Sequence, residues 1–260
     1  MLAKRVIPCL LLDRGRLVKT VRFTDPKYVG DPINAVRIFN DKEVDELILL
    51  DIGATRRATA IDFDLIMELA GECFMPFAYG GGIASLTDIE KLFRLGVEKA
   101  VINTAAVETP GLVREAAVSF GSQSIVVSVD VKRNWRGKHI VRVRGGSRDA
   151  GIALFDHLAA MQDDGVGEFV INSIDRDGTR EGYDIELVRE IAAAVDVPVI
   201  ALGGAGSLRD LRAAADATGT SALAAGSLFV LHGPNRAVLI QYPGYEVLRK
   251  LFSERHDGDT

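Results

Sequence analysis

Cysteine and histidine are scarce in this 260-residue sequence, and positive charge is outnumbered by negative. Cys9 and Cys73 are too few for a disulfide framework and too isolated for a thiolate metal site, so they read as buried thiols of a reducing compartment, the cytoplasm. The four histidines, at 139, 157, 232 and 256, share no ligand spacing; each reads as a surface residue, and no metal or cofactor is implied. With 31 Lys and Arg against 36 Asp and Glu, the formal net charge of −5 offers no basic field to a nucleic-acid backbone. No apolar stretch reaches the ~18 residues that would cross a bilayer. The opening MLAKRVIPCLLLDRG has early cations and a short apolar run, but Asp13 and Arg14 interrupt it without a small-residue cleavage site. A first strand is expected there rather than a signal segment.

What is present is ordinary globular composition, 48% apolar and 26% charged, which excludes disorder and collagen. The length suits one α/β barrel or two smaller domains. Val-, Ile- and Leu-rich runs at 5–11, 46–51, 75–79, 99–103, 124–130, 168–172, 197–202 and 221–225 predict eight strands. Amphipathic patterns between them predict helices at about 31–42, 62–73, 86–95, 110–119, 151–164, 184–195, 207–217 and 236–252, with Ser85, Asp184 and Ser207 at N-caps. Continuous apolar strands alternating with helices imply a parallel sheet covered on its outer face, and eight such units suggest a closed barrel. Two basic, glycine-punctuated stretches, 12–30 and 131–146, interrupt the alternation at strand C-terminal ends, where a barrel places its chemistry. The charged tail 253–260 is expected to fray.

The halves repeat. An offset of 122 residues lays Glu46 on Glu168, Pro76 on Pro198, Gly81 and Gly82 on Gly203 and Gly204, and Ser85, Leu86 and Asp88 on Ser207, Leu208 and Asp210. One register fitting separate regions points to a duplicated half-barrel. In each half a strand ends in glycines before a serine-capped helix, at 78–85 and 201–207, and the next strand ends in small or polar residues. Glycines let a phosphate approach the backbone, and helix N-termini favour anions. Two such copies predict two phosphates on opposite sides of the mouth, and so a long, doubly anionic ligand.

The segments MLAKRVIPCL, DELILLD, YGGGI, VEKAVINTAAVE, FGSQSIVVSVDVKR, SIDRDGT and VIALGGAGS resemble, over nearly the whole chain, the HisF-like family, the cyclase subunit of imidazole glycerol phosphate synthase. The resemblance implies a single (β/α)8 TIM barrel, here over 1–252, with half-barrels at about 1–122 and 123–252. It implies a HisH-like glutaminase partner at the barrel's N-terminal face, and ammonia passing through the barrel to a phosphorylated substrate at the other end. By position it makes Asp130 and Lys19 catalytic and puts Asp177 on the substrate. Gly81, Gly82, Asn103 and Thr104 match one phosphate site; Gly203, Gly204 and the turn Ala225, Gly226, Ser227 match the other. Arg5, Glu46, Lys99 and Glu168 match a four-charge ammonia gate at the barrel floor, and strand parity points all four inward. Such a ring also serves as a plug of salt bridges. Glu98 stands where the family presents an aspartate to the glutaminase.

The departures gather at the other end. Leu11 occupies the place of the family's first-strand catalytic aspartate, and corresponds in the repeat to Asp130. Cyclisation needs protons both delivered and removed, a task two carboxylates can divide and leucine cannot share. Asp13, two residues on, has the same parity and is the alternative carboxylate if the loop slips. Leu202, Asn172, Tyr79 and Thr20 also depart from the family pattern. An intact floor with an altered mouth resembles the divergent branch associated with amidino-sugar synthesis for surface polysaccharides. There the barrel and its glutaminase supply ammonia to a separate sugar amidotransferase. The competing expectations are a working cyclase of histidine biosynthesis, the sister half-barrel isomerase, which also needs two carboxylates, and a non-catalytic phosphate-binding scaffold.

Overall fold

A computed structural model describes residues 4–233 and 235–253. His256 and the tail beyond Ser253 lie outside the described residues. The eight apolar runs form β1 (Arg5–Asp13), β2 (Leu47–Asp51), β3 (Phe77–Gly80), β4 (Lys99–Ile102), β5 (Ile125–Arg133), β6 (Glu168–Ser173), β7 (Val199–Leu202) and β8 (Ala222–Ala225). Each lies parallel to the next, and β8 returns to β1 with Arg5 beside Ala222 and Pro8 beside Ala225, which closes the barrel. Around it run α1 (Pro32–Asp41), α2 (Phe63–Glu72), α3 (Leu86–Arg94), α4 (Leu112–Phe120), α5 (Leu154–Asp163), α6 (Ile185–Ala194), α7 (Leu208–Thr218) and α8 (Tyr245–Ser253). The expected (β/α)8 barrel is therefore the fold.

The strands are apolar on both faces because each face is buried against something different. Alternation turns Ile7, Ile48, Val126, Val170 and Ile200 into the barrel interior. Val6, Leu49, Val127, Phe169 and Leu223 turn outward under the helices. The caps repeat with the sequence: Ser85 and Ser207 form capping boxes with Asp88 and Asp210, and Asp62 and Asp184 accept from the amides of Leu65 and Leu187. Both pairs stand at the 122-residue offset.

The two basic stretches fold as hairpins above the C-terminal strand ends. Arg16–Val21 pairs antiparallel with β1 and with Thr24–Gly30. His139–Val143 pairs antiparallel with β5 and with Arg148–Asp149. The hairpins meet at Phe23 and Gly146, where a Cβ on the glycine would stand 2.8 Å from the Phe23 ring.

Two expectations are corrected. The last helix begins at Tyr245, not 236: Leu231–His232 and Ala237–Val238 pair as a short ribbon, and Pro243, which disfavours a helical residue before it, precedes the start. His157 is not on the surface. It shares the inner face of α5 with Leu154, Leu158 and Met161, at one helical spacing, and burial lowers its pKa. Among the described residues no helix is long and apolar enough to cross a membrane.

Candidate active site at the barrel mouth

Parity along the strands sets the two ends of the interior. At the N-terminal end, Arg5, Glu46, Lys99 and Glu168 converge into a closed ring. Arg5 donates from Nη1 to Glu46 Oε2 at 2.5 Å and from Nη2 to Glu168 Oε1. Lys99 Nζ donates to Glu46 Oε1 at 2.8 Å and to Glu168 Oε2 at 3.0 Å. All four carboxylate oxygens are thus satisfied, which is what makes burial of Glu46 and Glu168, 2% and 5% exposed, tolerable. Glu98 is exposed beside this floor.

At the C-terminal end a cleft of about 980 Å³, its open mouth included, collects most of the residues singled out in the sequence. Leu11, Lys19, Gly81, Gly82, Asn103, Thr104, Asp130, Asp177 and Gly226 all line it. Register places Leu11 beside Leu50 on one side, and Asp130 beside Asn172 beside Leu202 on the other. Asp130 is 8% exposed, and burial pushes its carboxyl up to about 7; a hydrogen bond from Asn172 works against the shift and the charge of Asp177 adds to it. Asn103 Nδ2 donates to Asp130 Oδ2 at 3.3 Å and to the Ser128 carbonyl at 2.8 Å. The mouth therefore holds a buried carboxyl, Asp130, able to exchange a proton near neutrality, and Leu11 lines the same cleft.

β1 runs through Leu11 without a slip, and Asp13 does not return to the mouth: it is paired with Arg57, away from the cleft. Asp177 ties the first hairpin down. It accepts from Lys19 Nζ at 3.1 Å and Thr20 Oγ1 at 2.8 Å, and its carbonyl accepts from the Arg22 amide at 2.9 Å. Thr20, a departure from the family pattern, is thus half of the clamp that seats Lys19.

The two glycine turns are built alike. Gly81 and Gly203 have φ of +116° and +95°, and Gly82 and Gly204 of +73° and +110°, conformations that exclude side chains at low cost only for glycine. A Cβ on Gly81 would strike the Asp51 carbonyl, and one on Gly203 the Ser173 carbonyl, the offset-related atom. Their surroundings differ. The first turn opens into the cleft. Gly203 and Gly204 are buried under the 173–183 segment, whose Gly182 amide donates to Gly204 O at 2.9 Å, and they do not line the cleft. Ala225 and Ser227 are buried beside Gly226, with Ser227 Oγ unpartnered. The side chains of Asn103 and Thr104 are also occupied: the Thr104 hydroxyl donates to Asn103 Oδ1 at 3.2 Å and accepts from the Arg144 amide at 2.9 Å.

Sequence reasoning missed Thr55, Arg56 and Phe23, all cleft-lining. The Thr55-Arg56-Arg57 run carried a signal, a cation pair just after a strand end, but not which arginine faces the cleft. Arg57 is taken by Asp13 and Asp51.

Residues 5–233 match the family described as "Histidine biosynthesis protein". The chain is 58% identical, over 94% of its length and 97% of the relative's, to "Putative imidazole glycerol phosphate synthase subunit hisF2" of Pseudomonas aeruginosa. It is 45% identical, over 97% of the chain and all of the relative, to a protein of Leptospira interrogans named as a putative HisF subunit of the same synthase. It is 41% identical, over 88% and 91%, to "Imidazole glycerol phosphate synthase subunit HisF" of Alkaliphilus metalliredigens. With the barrel, the charged floor and the glycine-turned mouth in place, these likenesses make the chain a member of the histidine biosynthesis protein family, of the HisF-like kind.

Proposed function

We propose that this barrel is the ammonia-conducting synthase subunit of a glutamine amidotransferase complex, receiving ammonia at its floor from a HisH-like glutaminase. In this reading it serves acetamidino-sugar synthesis for surface polysaccharide, through a separate sugar amidotransferase, rather than histidine synthesis. The observation that carries it is Leu11, 9% exposed in the cleft and lining it together with Asp130. Cyclisation of a bisphosphate calls for an acid and a base; Asp130, its carboxyl pushed up to about 7 by burial, can serve as one, and Leu11 can serve as neither. Lys19 and Asp177 neutralise one another and seat the hairpin. Arg5, Glu46, Lys99 and Glu168 act as the gate, and Glu98 as a contact for the glutaminase. The interior between floor and mouth is lined by Ile7, Ile48, Val126, Val170 and Ile200, a surface that admits neutral NH3 far more readily than a hydrated ion. The phosphate-binding turns then hold a phosphorylated ligand that acts as substrate or as a signal to the glutaminase, in the cytoplasm.

The second reading is a working cyclase of histidine biosynthesis, favoured by the names of the relatives and by Asp130, Lys19 and Asp177. Cyclase turnover with the histidine-pathway bisphosphate and ammonium salt separates the two. A missing acid/base partner predicts a rate about 10²- to 10⁴-fold below that of a true cyclase, and a gain on Leu11→Asp. Turnover equal to a true cyclase sinks the sugar-pathway reading.

A further inference from the structure

The hairpin that continues β5 has a charge unlike the rest of the chain. Residues 131–148 carry seven Lys and Arg and no Asp or Glu, in a protein of net charge −5. Four of those cations are engaged near the base of the hairpin. Arg133 meets Asp184 at 3.4 Å and Glu186 at 3.2 Å, Arg144 and Arg148 share Glu108, and Arg142 donates to the Gly146 carbonyl. Lys132, Arg136 and Lys138, around the tip, are exposed, and among the described residues no carboxylate pairs with them.

Between them stands Trp135, the chain's only tryptophan, 85% exposed. Its setting is fixed. Asn134 Oδ1 accepts the amides of Arg136 and Lys138 at 2.9 and 3.0 Å. The Asn134 amide donates to Lys138 O and the Gly137 amide to Asn134 O, each at 2.9 Å. The Arg136 guanidinium lies 4.3 Å from the indole centroid, which covers one face of the ring and leaves the other to solvent. Both ends of the hairpin reach the mouth, since Asp130 and Gly145 line the cleft. Trp135 is five residues past Asp130, roughly 16 Å along extended chain, so the tip forms a projecting rim.

We propose that this tip docks the enzyme that accepts the ammonia, with Trp135 as the anchor and Lys132, Arg136 and Lys138 facing an acidic surface. The proposal rests on the ammonia-supply reading given above and adds a second interface, at the end of the barrel opposite the glutaminase. Water at neutral pH protonates ammonia as it leaves the mouth, so an acceptor enzyme has to cover that mouth, and a body lowered onto it meets the projecting hairpin. An aromatic held in one orientation beside an arginine is the composition of a protein interface anchor, and the fixed turn lowers the entropy lost on binding. The unpaired cations steer an acidic partner toward it.

The test holds the sugar amidotransferase of the source organism on a biosensor while the barrel–glutaminase complex flows over it. The wild type binds. Trp135→Ala weakens binding about 10- to 100-fold, chiefly through faster dissociation. The double variant Lys132→Glu, Lys138→Glu slows association and flattens its dependence on salt, whereas Lys91→Glu on α3 changes neither. Glutamine-dependent amidination falls with the affinity, and the rate with free ammonium stays the same. Wild-type affinity in both tip variants overturns the proposal and leaves the ammonia-supply reading standing. A wild type that binds phosphatidylglycerol vesicles through Trp135, and not the enzyme, assigns the tip to a membrane and also overturns it. A wild type that supports no glutamine-dependent amidination removes the reading and the proposal together.

Discussion

Asp130 shows how much one position depends on its neighbours. Its burial raises its pKa to about 7 against a model-peptide value near 3.8, so the folded state holds a proton that the unfolded state has released. A group raised in this way contributes most below the unfolded pKa and progressively less as pH rises toward the folded one. Above about pH 7 the folded protein carries a buried carboxylate. Asp130→Asn removes that charge and is expected to raise stability by ~2 kcal/mol at pH 8, with the advantage shrinking between pH 7 and pH 4. Denaturant unfolding at the two ends of that range checks it, and a gain independent of pH would argue against the shift. The residue was legible in the sequence as the inward end of a strand. Its proton affinity was not, because that depends first on burial in the folded barrel and then on Asn172 and Asp177, which are distant in the chain.

At the scale of elements, the repeat was read correctly down to single caps. Asp62 and Asp184 were not paired in the sequence reading, yet both cap helices at the same offset because the same strand-turn-helix geometry leaves the same amides unsatisfied. The glycine turns are the more demanding elements. Gly81→Ala is expected to cost about 2–4 kcal/mol, since it combines positive φ with a clash against the fixed carbonyl of Asp51. Gly137→Ala, at a hairpin tip with open space around it, provides the comparison and loses only the conformational part. Equal losses of thermal stability in the two variants would mean that the contact with Asp51 relaxes. The end of the barrel was read less well. A helical pattern over 236–252 outweighed Pro243, and the ribbon that replaces its first half depends on pairing with Leu231 and His232.

The whole molecule is tied together at its floor. The ring draws on β1, β4 and β6 and on Glu46 just ahead of β2, so that its links span both halves of the proposed duplication, 1–122 and 123–252. Lys99→Met leaves Glu46 and Glu168 facing each other with one cation between them. Breaking a buried pair in this way is expected to destabilise by roughly 3–5 kcal/mol. In complex with a glutaminase, the gate reading further expects glutamine hydrolysis to uncouple from ammonia transfer while activity with free ammonium persists. Measured together, the two rates separate gate from plug: a stability loss with coupling intact makes the ring purely structural.

The sequence by itself determined the barrel, its repeat, the inward set of residues and the departure at Leu11, because alternation along strands and spacing along helices are local and periodic. Tertiary structure decided what those residues do to one another. It closed four charges into one ring, turned Asp13 to Arg57, raised Asp130, and buried the second glycine turn while leaving the first open beside Arg56. The low count of histidines and the negative net charge said little of this. Ion pairing and desolvation act over a few ångströms in space, between residues that the chain keeps far apart, from 41 to 163 positions in the ring that includes Arg5, Glu46 and Glu168.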